Sequence, residues 1–284
     1  MRIRATVAAV SGALALALAS TAVPAAQASG KPGGSDLRTF AAAKAAADEA
    51  EGDTRITKVV VNGGKEIVLG TTATKTVTVA VTATDPPGID DVFAVLWHGT
   101  DLETPGSVDG GVAQNEDRAK CTASSTSPAV STCKLTFTFD PVVDLWKNEL
   151  AGTWKVAVGA MAKDEYGVVE EAITTTKVKR NARVTVNASP EPVKKGKTIT
   201  VTGKLTRANW ATSKYAGYTS QSVQLQFRKK GTGTYKTVKT VKSSSTGALK
   251  TTVKASADGY WRYNFVGTST TGKAVSTADF VDVK

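Results

Sequence analysis

One histidine, His98, and two cysteines, Cys121 and Cys133, are the whole stock of imidazole and thiol in 284 residues. A Ser-His-Asp relay would have to run through His98, a Cys-His pair would need a free thiol, and a zinc cage would be short of ligands. No Ser-x-x-Lys sits on a helical stretch, so serine-lysine chemistry has no anchor either. No catalytic residue is assigned, and the chain reads as non-catalytic. Binding chemistry is better supplied. Calcium takes about six to eight hard oxygens, and Asp85, Asp90, Asp91, Asp164 and Glu165 offer carboxylates beside turn residues, although no Asp-x-Asp-x-Asp-Gly loop is present. Lys204, Arg228, Lys229, Lys230, Lys250, Lys254 and Arg262 offer cations to a polyanion. Trp210, Tyr215 and Tyr218, with Arg207 and Lys214 among them, have the ring faces and donors that suit a sugar or a flat partner surface.

Short strands must carry these residues. From Ile56 onward apolar residues recur at every second position: Val77, Val79 and Val81, then Phe93, Val95 and Trp97, then Leu135, Phe137 and Phe139, then Trp154, Val156 and Val158. Turn chemistry separates the runs at Asn62-Gly63-Gly64, Asp85-Pro86-Pro87-Gly88, Pro105-Gly106 and Glu165-Tyr166-Gly167. The pattern predicts an all-β chain built of antiparallel sandwiches. A second set follows Asn181, with Ile199, Val201 and Leu205, then Val223, Leu225 and Phe227, then Leu249 and Val253, then Trp261, Tyr263 and Phe265.

The two sets echo each other. Lys75-Thr76-Val77-Thr78-Val79 matches Lys197-Thr198-Ile199-Thr200-Val201, and Gly152-Thr153-Trp154-Lys155 matches Gly259-Tyr260-Trp261-Arg262. Lys75 lies 79 positions before Trp154, whereas Lys197 lies 64 before Trp261. The cysteine-bounded segment is the expected place for the excess. Charge divides along the same line. Residues 29–180 carry 16 Lys+Arg against 21 Asp+Glu, and residues 181–284 carry 18 against 4, a net of +14. Such asymmetry predicts different partners for the two halves.

The N-terminus reads as an export leader. Met1-Arg2-Ile3-Arg4 is basic, Ala5 to Val23 is apolar, and Ala26-Gln27-Ala28 supplies small residues for cleavage after Ala28. Its Leu-rich heart, Ala13 to Ala19, is too short to anchor in a bilayer. The mature chain is therefore expected to be secreted and extracellular, with no membrane span and no nucleic-acid partner. Disulfides persist in that compartment, so Cys121 and Cys133 are expected to bond, stapling a loop rich in Ser and Thr. The strand carrying Leu135 is expected to begin just after Cys133. The expected organisation is a leader at 1–28, a flexible Ala-rich and possibly helical segment at 29–52, an acidic sandwich at 53–180 and a basic one at 181–284.

The stretch Arg183-Val184-Thr185-Val186-Asn187-Ala188-Ser189-Pro190 through Lys204, with Gln221 to Lys230 and Asp258 to Phe265, resembles the Ig-like modules of secreted proteins from high-GC Gram-positive bacteria. The first half, with Thr82-Ala83-Thr84-Asp85 and Ala151-Gly152-Thr153-Trp154-Lys155-Val156, looks like the partner domain of that module in an exported two-domain family. The resemblance implies two tandem Ig-like β-sandwiches and export. It implies no activity, and some of the family's members carry a calcium-binding label. In an Ig-like sandwich the loops after Asp85 and Asp164 share one end, where calcium could sit; equally, both residues could simply cap turns. Lys204, Lys250 and Lys254 would project from one sheet of the basic domain, and Arg228 and Arg262 from the other. The leading expectation is a binding protein for anionic cell-wall polymer or an acidic protein. The alternatives are a calcium-binding module and, through the stapled loop, a protease inhibitor or enzyme.

Overall fold

The computed structural model describes residues 52–104 and 106–284. The leader, the Ala-rich segment up to residue 51 and Pro105 of the expected Pro105-Gly106 turn lie outside the described residues. Two compact units form among the described residues: one from 52–67, 74–144 and 153–176, the other from 68–73, 145–152 and 177–284. Among the described residues, no helix is long and apolar enough to cross a membrane.

The strands of the first half are β1 (Arg55–Val61), β2 (Ile67–Leu69), β3 (Lys75–Thr84), β4 (Ile89–Gly99), β5 (Val108–Ala113), β6 (Lys120–Ala123), β7 (Val130–Phe139), β8 (Gly152–Ala162) and β9 (Gly167–Arg180). They pair as β1-β3-β7-β6 and as β2-β9-β8-β4-β5. With β2 taken as A′ and β5 as C′, these are the A-B-E-D and A′-G-F-C-C′ sheets of an immunoglobulin-type sandwich. The alternating valines of β3 and the Leu135, Phe137 and Phe139 side chains of β7 are buried, as are Trp154, Val156 and Val158 of β8. Phe139 meets Trp154 edge-on with ring centroids 5.5 Å apart, which ties the two sheets together.

β4 departs from simple alternation. Val92, Ala94 and Leu96 are buried, yet so are Val95 and Trp97 on the other side of the strand. Val95 and Trp97 form a separate apolar cluster with Leu102 and Ala157, flanked by Phe93, Val108 and Val169. Trp97 Nε1 donates to the Glu171 carbonyl (2.8 Å), and Lys155 Nζ lies 4.3 Å from the ring centroid. Phe93 is the register partner of Gly159, and its ring occupies the space that a side chain there would need. The run Phe93-Val95-Trp97 therefore belongs to this satellite cluster and not to the main core.

The second half contains β10 (Ala182–Val184), β11 (Asn187–Ser189), β12 (Thr198–Asn209), β13 (Lys214–Gly217), β14 (Ser222–Lys229), β15 (Lys236–Lys242), β16 (Ala248–Lys254), β17 (Gly259–Phe265), β18 (Ala274–Val275) and β19 (Asp279–Val281). β12 pairs with β10, β11, β13 and β16, while β15-β14-β17 form the facing sheet with β18 and β19 on its far edge. The inward residues form one core containing Ile199, Val201, Leu205, Val223, Leu225, Leu249, Trp261, Tyr263 and Phe265. Tyr263 crosses it to donate its hydroxyl to the Val201 carbonyl (3.0 Å), and burial pushes that phenol up to about 12.

The internal repeat lands on equivalent strands: β3 with β12, and β8 with β17. Eight of the fifteen extra residues of the first half fall outside the cysteine-bounded segment. Twelve residues separate β7 from β8, against four between β16 and β17. The hairpin carrying β6 is largely offset in the second half by the excursion through β13. The disulfide is present, but its setting differs from a stapled loop ahead of a strand. β7 starts at Val130, and Cys121 is the direct cross-strand partner of Cys133 in the β6–β7 ladder. Threonine-rich flanks with high β-propensity let both strands extend into the segment taken for loop.

Candidate polyanion-binding faces

Both outward faces of the second sandwich carry cations, for a reason visible in the alternation. On β12 the residues between Ile199, Val201 and Leu205 are Thr198, Thr200, Thr202 and Lys204; their neighbours on β16 are Lys254, Thr252 and Lys250, with Ala248 opposite Lys204. Lys204, Lys250 and Lys254 are exposed there, on a polar face of threonines.

The opposite face is more ordered. On β14 the outward residues are Gln224, Gln226 and Arg228; on β17 they are Tyr260, Arg262 and Asn264, in the register Gln224↔Asn264, Gln226↔Arg262 and Arg228↔Tyr260. Phe280 of β19 lies beside Tyr260. The guanidinium of Arg262 sits 3.6 Å from the centroid of Tyr235, and that of Arg228 lies 5.3 Å from Tyr235 and 4.2 Å from Tyr260. Tyr260 packs on Phe280 at 5.1 Å, and Lys230 Nζ stands 5.4 Å from the Phe280 ring. Polar contacts fix the planes of this stack. Arg262 Nε donates to Gln226 Oε1 (2.9 Å), Arg228 Nη1 to the Thr232 carbonyl (2.7 Å), and Asn264 Nδ2 to Gln224 Oε1 (3.0 Å).

Lys229 is exposed at the strand end, and Lys230 reaches Asp258 at 3.5 Å. Asp258 is held below the usual carboxylate range chiefly by the Val283 backbone N–H, with Lys230 adding to the effect. Tyr235, Tyr260, Phe280 and the amide row were not singled out from sequence. Tyr260, Arg262 and Asn264 are simply the complement of the buried Trp261, Tyr263 and Phe265, so that part was readable from alternation. Tyr235 and Phe280 reach the face from a turn and from the last strand, and no local signal marks either.

The five acidic candidates are not gathered. Asp85 is 1% exposed; its Oδ2 accepts from Thr54 Oγ1 (2.7 Å), while its Oδ1 has no protein partner among the described residues. Asp90 and Asp91 lie within β4, not in the loop before it, and both carboxylates meet Arg118, at 2.7 Å and 3.5 Å. Asp164 Oδ1 accepts from the Tyr166 N–H (3.3 Å), and Glu165 occupies the turn with a φ of 70°. Among the described residues no three acidic, histidine or cysteine side chains group as metal ligands would. The strand begins at Ile89, one turn earlier than the sequence suggests, which carries Asp90 and Asp91 away from the loop end.

The aromatic excursion after β12 is likewise occupied. Trp210 is 2% exposed, and its Nε1 donates to the Gly70 carbonyl (2.8 Å) within the second unit. Its backbone N–H is taken by Asn148 Oδ1 (2.9 Å), and Asn148 Nδ2 donates to Asn209 Oδ1 (2.9 Å). Tyr215 lies under Arg183 at 3.7 Å and Tyr218 under Arg207 at 3.9 Å. These rings, which would suit a sugar or a partner surface if they were presented, are packed against the protein's own chain. His98 Nδ1 contacts Asp109 Oδ1 at 2.5 Å, with its ring 5.9 Å from that of Trp154.

No protein-family model matches the chain, and no curated protein matches it. Solved structures do. The dimeric latent PorU of Porphyromonas gingivalis is similar at 15% identity and a TM-score of 0.27, over 83% of this chain and 21% of that one. The D00–D0 domain of intimin is similar at 14% identity and a TM-score of 0.26, over 79% and 99%. The mouse nectin-like molecule 4 ectodomain is similar at 14% identity and a TM-score of 0.24, over 80% and 64%. The chain thus spans about a fifth of the first of these. Scores of this size add nothing to the fold read from strand order.

Proposed function

We propose that the chain is an exported, non-catalytic binding protein whose C-terminal sandwich holds anionic cell-wall polymer. The observation that carries this reading is the charge split: 18 Lys+Arg against 4 Asp+Glu after residue 180, with the named lysines exposed on one sheet and arginines ordered on the other. A solvated face needs charge for solubility but has no need of one sign so strongly in excess. The basic, apolar and small-residue order of positions 1–28 and the bonded cysteine pair support export. An outer wall polymer supplies phosphate and carboxylate in dense array, and screening sets the range over which the lysines sense it. The test is retention of the mature protein on purified Gram-positive cell walls across a salt series. Retention that falls as salt rises is expected. Retention indifferent to salt, or no retention, overturns the reading.

A further inference from the structure

The ordered face on β15, β14, β17 and β19 is built differently from the lysine face, and the difference is chemical. The lysines are flexible point charges on a threonine ground, suited to any polyanion. Arg228 and Arg262 are planar forks already held against Tyr235 and Tyr260, and Arg262 is also held through Nε by Gln226. Stacking fixes the guanidinium plane, so little side-chain freedom remains to be lost when a ligand arrives. Among the described residues neither arginine has a carboxylate partner. Of the acids in this half, Asp258 is taken by Lys230 and the Val283 N–H, and Asp279 by the Ala188 N–H. The outer guanidinium edges thus present fixed donors of the kind that pairs with an oxyanion through two hydrogen bonds.

Next to the arginines, along the same two strands, the cations stop and the amides of Gln224, Gln226 and Asn264 begin. From Gln224 to Arg228 the track is about 13 Å long at the rise of a β-strand. A polyphosphate has acceptor oxygens but no hydroxyl donors, so it can use only the N–H groups of such a row and leaves the amide oxygens unmatched. Gln226 is buried, with its amide engaged by Arg262, Gln224 and Thr237, so the half-buried Gln224 and Asn264 are the amides that meet hydroxyl groups, through Gln224 Nε2 as donor and Asn264 Oδ1 as acceptor. Resting on the proposed polymer-binding function, we infer that this face is the specific subsite for an acidic polysaccharide. Arg228 and Arg262 take sugar carboxylates, Gln224 and Asn264 take hydroxyls, and the lysine face adds only long-range attraction.

The test uses the full mature chain, polygalacturonate as probe, and polyphosphate of matched charge and neutral dextran as controls, read by affinity electrophoresis and calorimetry. Substituting both arginines, R228Q with R262Q, is expected to weaken polygalacturonate binding by about tenfold or more, the loss of charge-assisted hydrogen bonds. The conservative pair R228K with R262K keeps the charge and should weaken it nearly as much, while K204Q, K250Q and K254Q together cost about two- to threefold. Circular dichroism and melting check that each variant folds. Full binding by the Lys-for-Arg pair, a larger loss in the triple lysine variant, or polyphosphate bound as tightly as polygalacturonate overturns the inference. So does arginine-dependent self-association without polymer binding, which would give the face to the acidic half of a second copy. Arginine variants that stay on cell walls as the parent does sink the subsite and leave wall binding standing; a parent that never binds walls sinks both.

Discussion

Reducing the Cys121–Cys133 bond should destabilise the first unit and leave the second untouched. The bridge closes a thirteen-residue segment, counting both cysteines. Freeing a loop of that length restores unfolded-chain entropy worth about 3 kcal/mol in the chain-entropy model. β6 gives the folded state little to set against that gain: it has four residues, pairs only with β7 and sits at the sheet edge. For a unit of just over a hundred residues, the loss corresponds to a fall in melting temperature of about 12 °C. Scanning calorimetry of the oxidised and reduced protein reads both units at once, and residues 181–284 contain no cysteine. One transition should move down and the other stay. Two transitions that shift together, or a change below about 1 kcal/mol, would show that the bridge does not act by restraining this hairpin. Mass spectrometry after alkylation, without reductant, should find no free thiol.

Three further outcomes follow from named contacts. Burial, reinforced by Asp140, pushes the Asp144 carboxyl up to about 6. The native state therefore keeps a proton that the unfolded chain gives up near 4, and this contribution is lost as pH rises from about 4 through 6. The stability difference between the parent and Asp144→Asn should change across that window and be flat above it, as read by urea melts; a flat difference throughout would refute the assignment. Trp210→Ala should cost about 3–5 kcal/mol by emptying a buried site, and Trp210→Phe less, by losing only the Nε1–H to Gly70 and part of the ring; equal costs would mean that filling the site contributes nothing, and a Phe variant as stable as the parent that the hydrogen bond contributes nothing. Millimolar calcium should leave the melting temperature of the parent unchanged, because the acidic candidates are separately engaged; a rise of several degrees would show that they do assemble.

Alternation made much of this legible. The buried sides of β3, β7, β8, β12, β14 and β17 follow directly from Val, Leu, Phe and Trp at every second position, and the repeat marks equivalent strands because the same core has to be filled twice. Where both sides of a strand are buried, as along β4, alternation carries no phase, and Phe93, Val95 and Trp97 look like core when they serve the satellite cluster. Strand ends were the other blind spot. Asp90 and Asp91 have weak β-propensity, and only the pairing of β4 with β8 draws them into a strand. The arginine stack depends on Tyr235 and Phe280 arriving from distant sequence, a fact of topology that no window of residues contains.

The Trp210–Gly70 hydrogen bond joins residues 140 positions apart, and a strip of chain near the start completes a unit most of which comes last. Synthesis delivers residues 68–73 long before the segment that uses them. Its β2 end can pair with β9 and with the Asn181 N–H, but the Gly70 carbonyl must wait until the ribosome has supplied Trp210. The second sandwich is thus not a cassette that can be lifted out at residue 181 and spliced onto another protein. A transplanted fragment would leave behind the Gly70 carbonyl that takes the Trp210 N–H and the Asn148 amide that steadies its backbone. Recombination that respects this fold has to move both halves together.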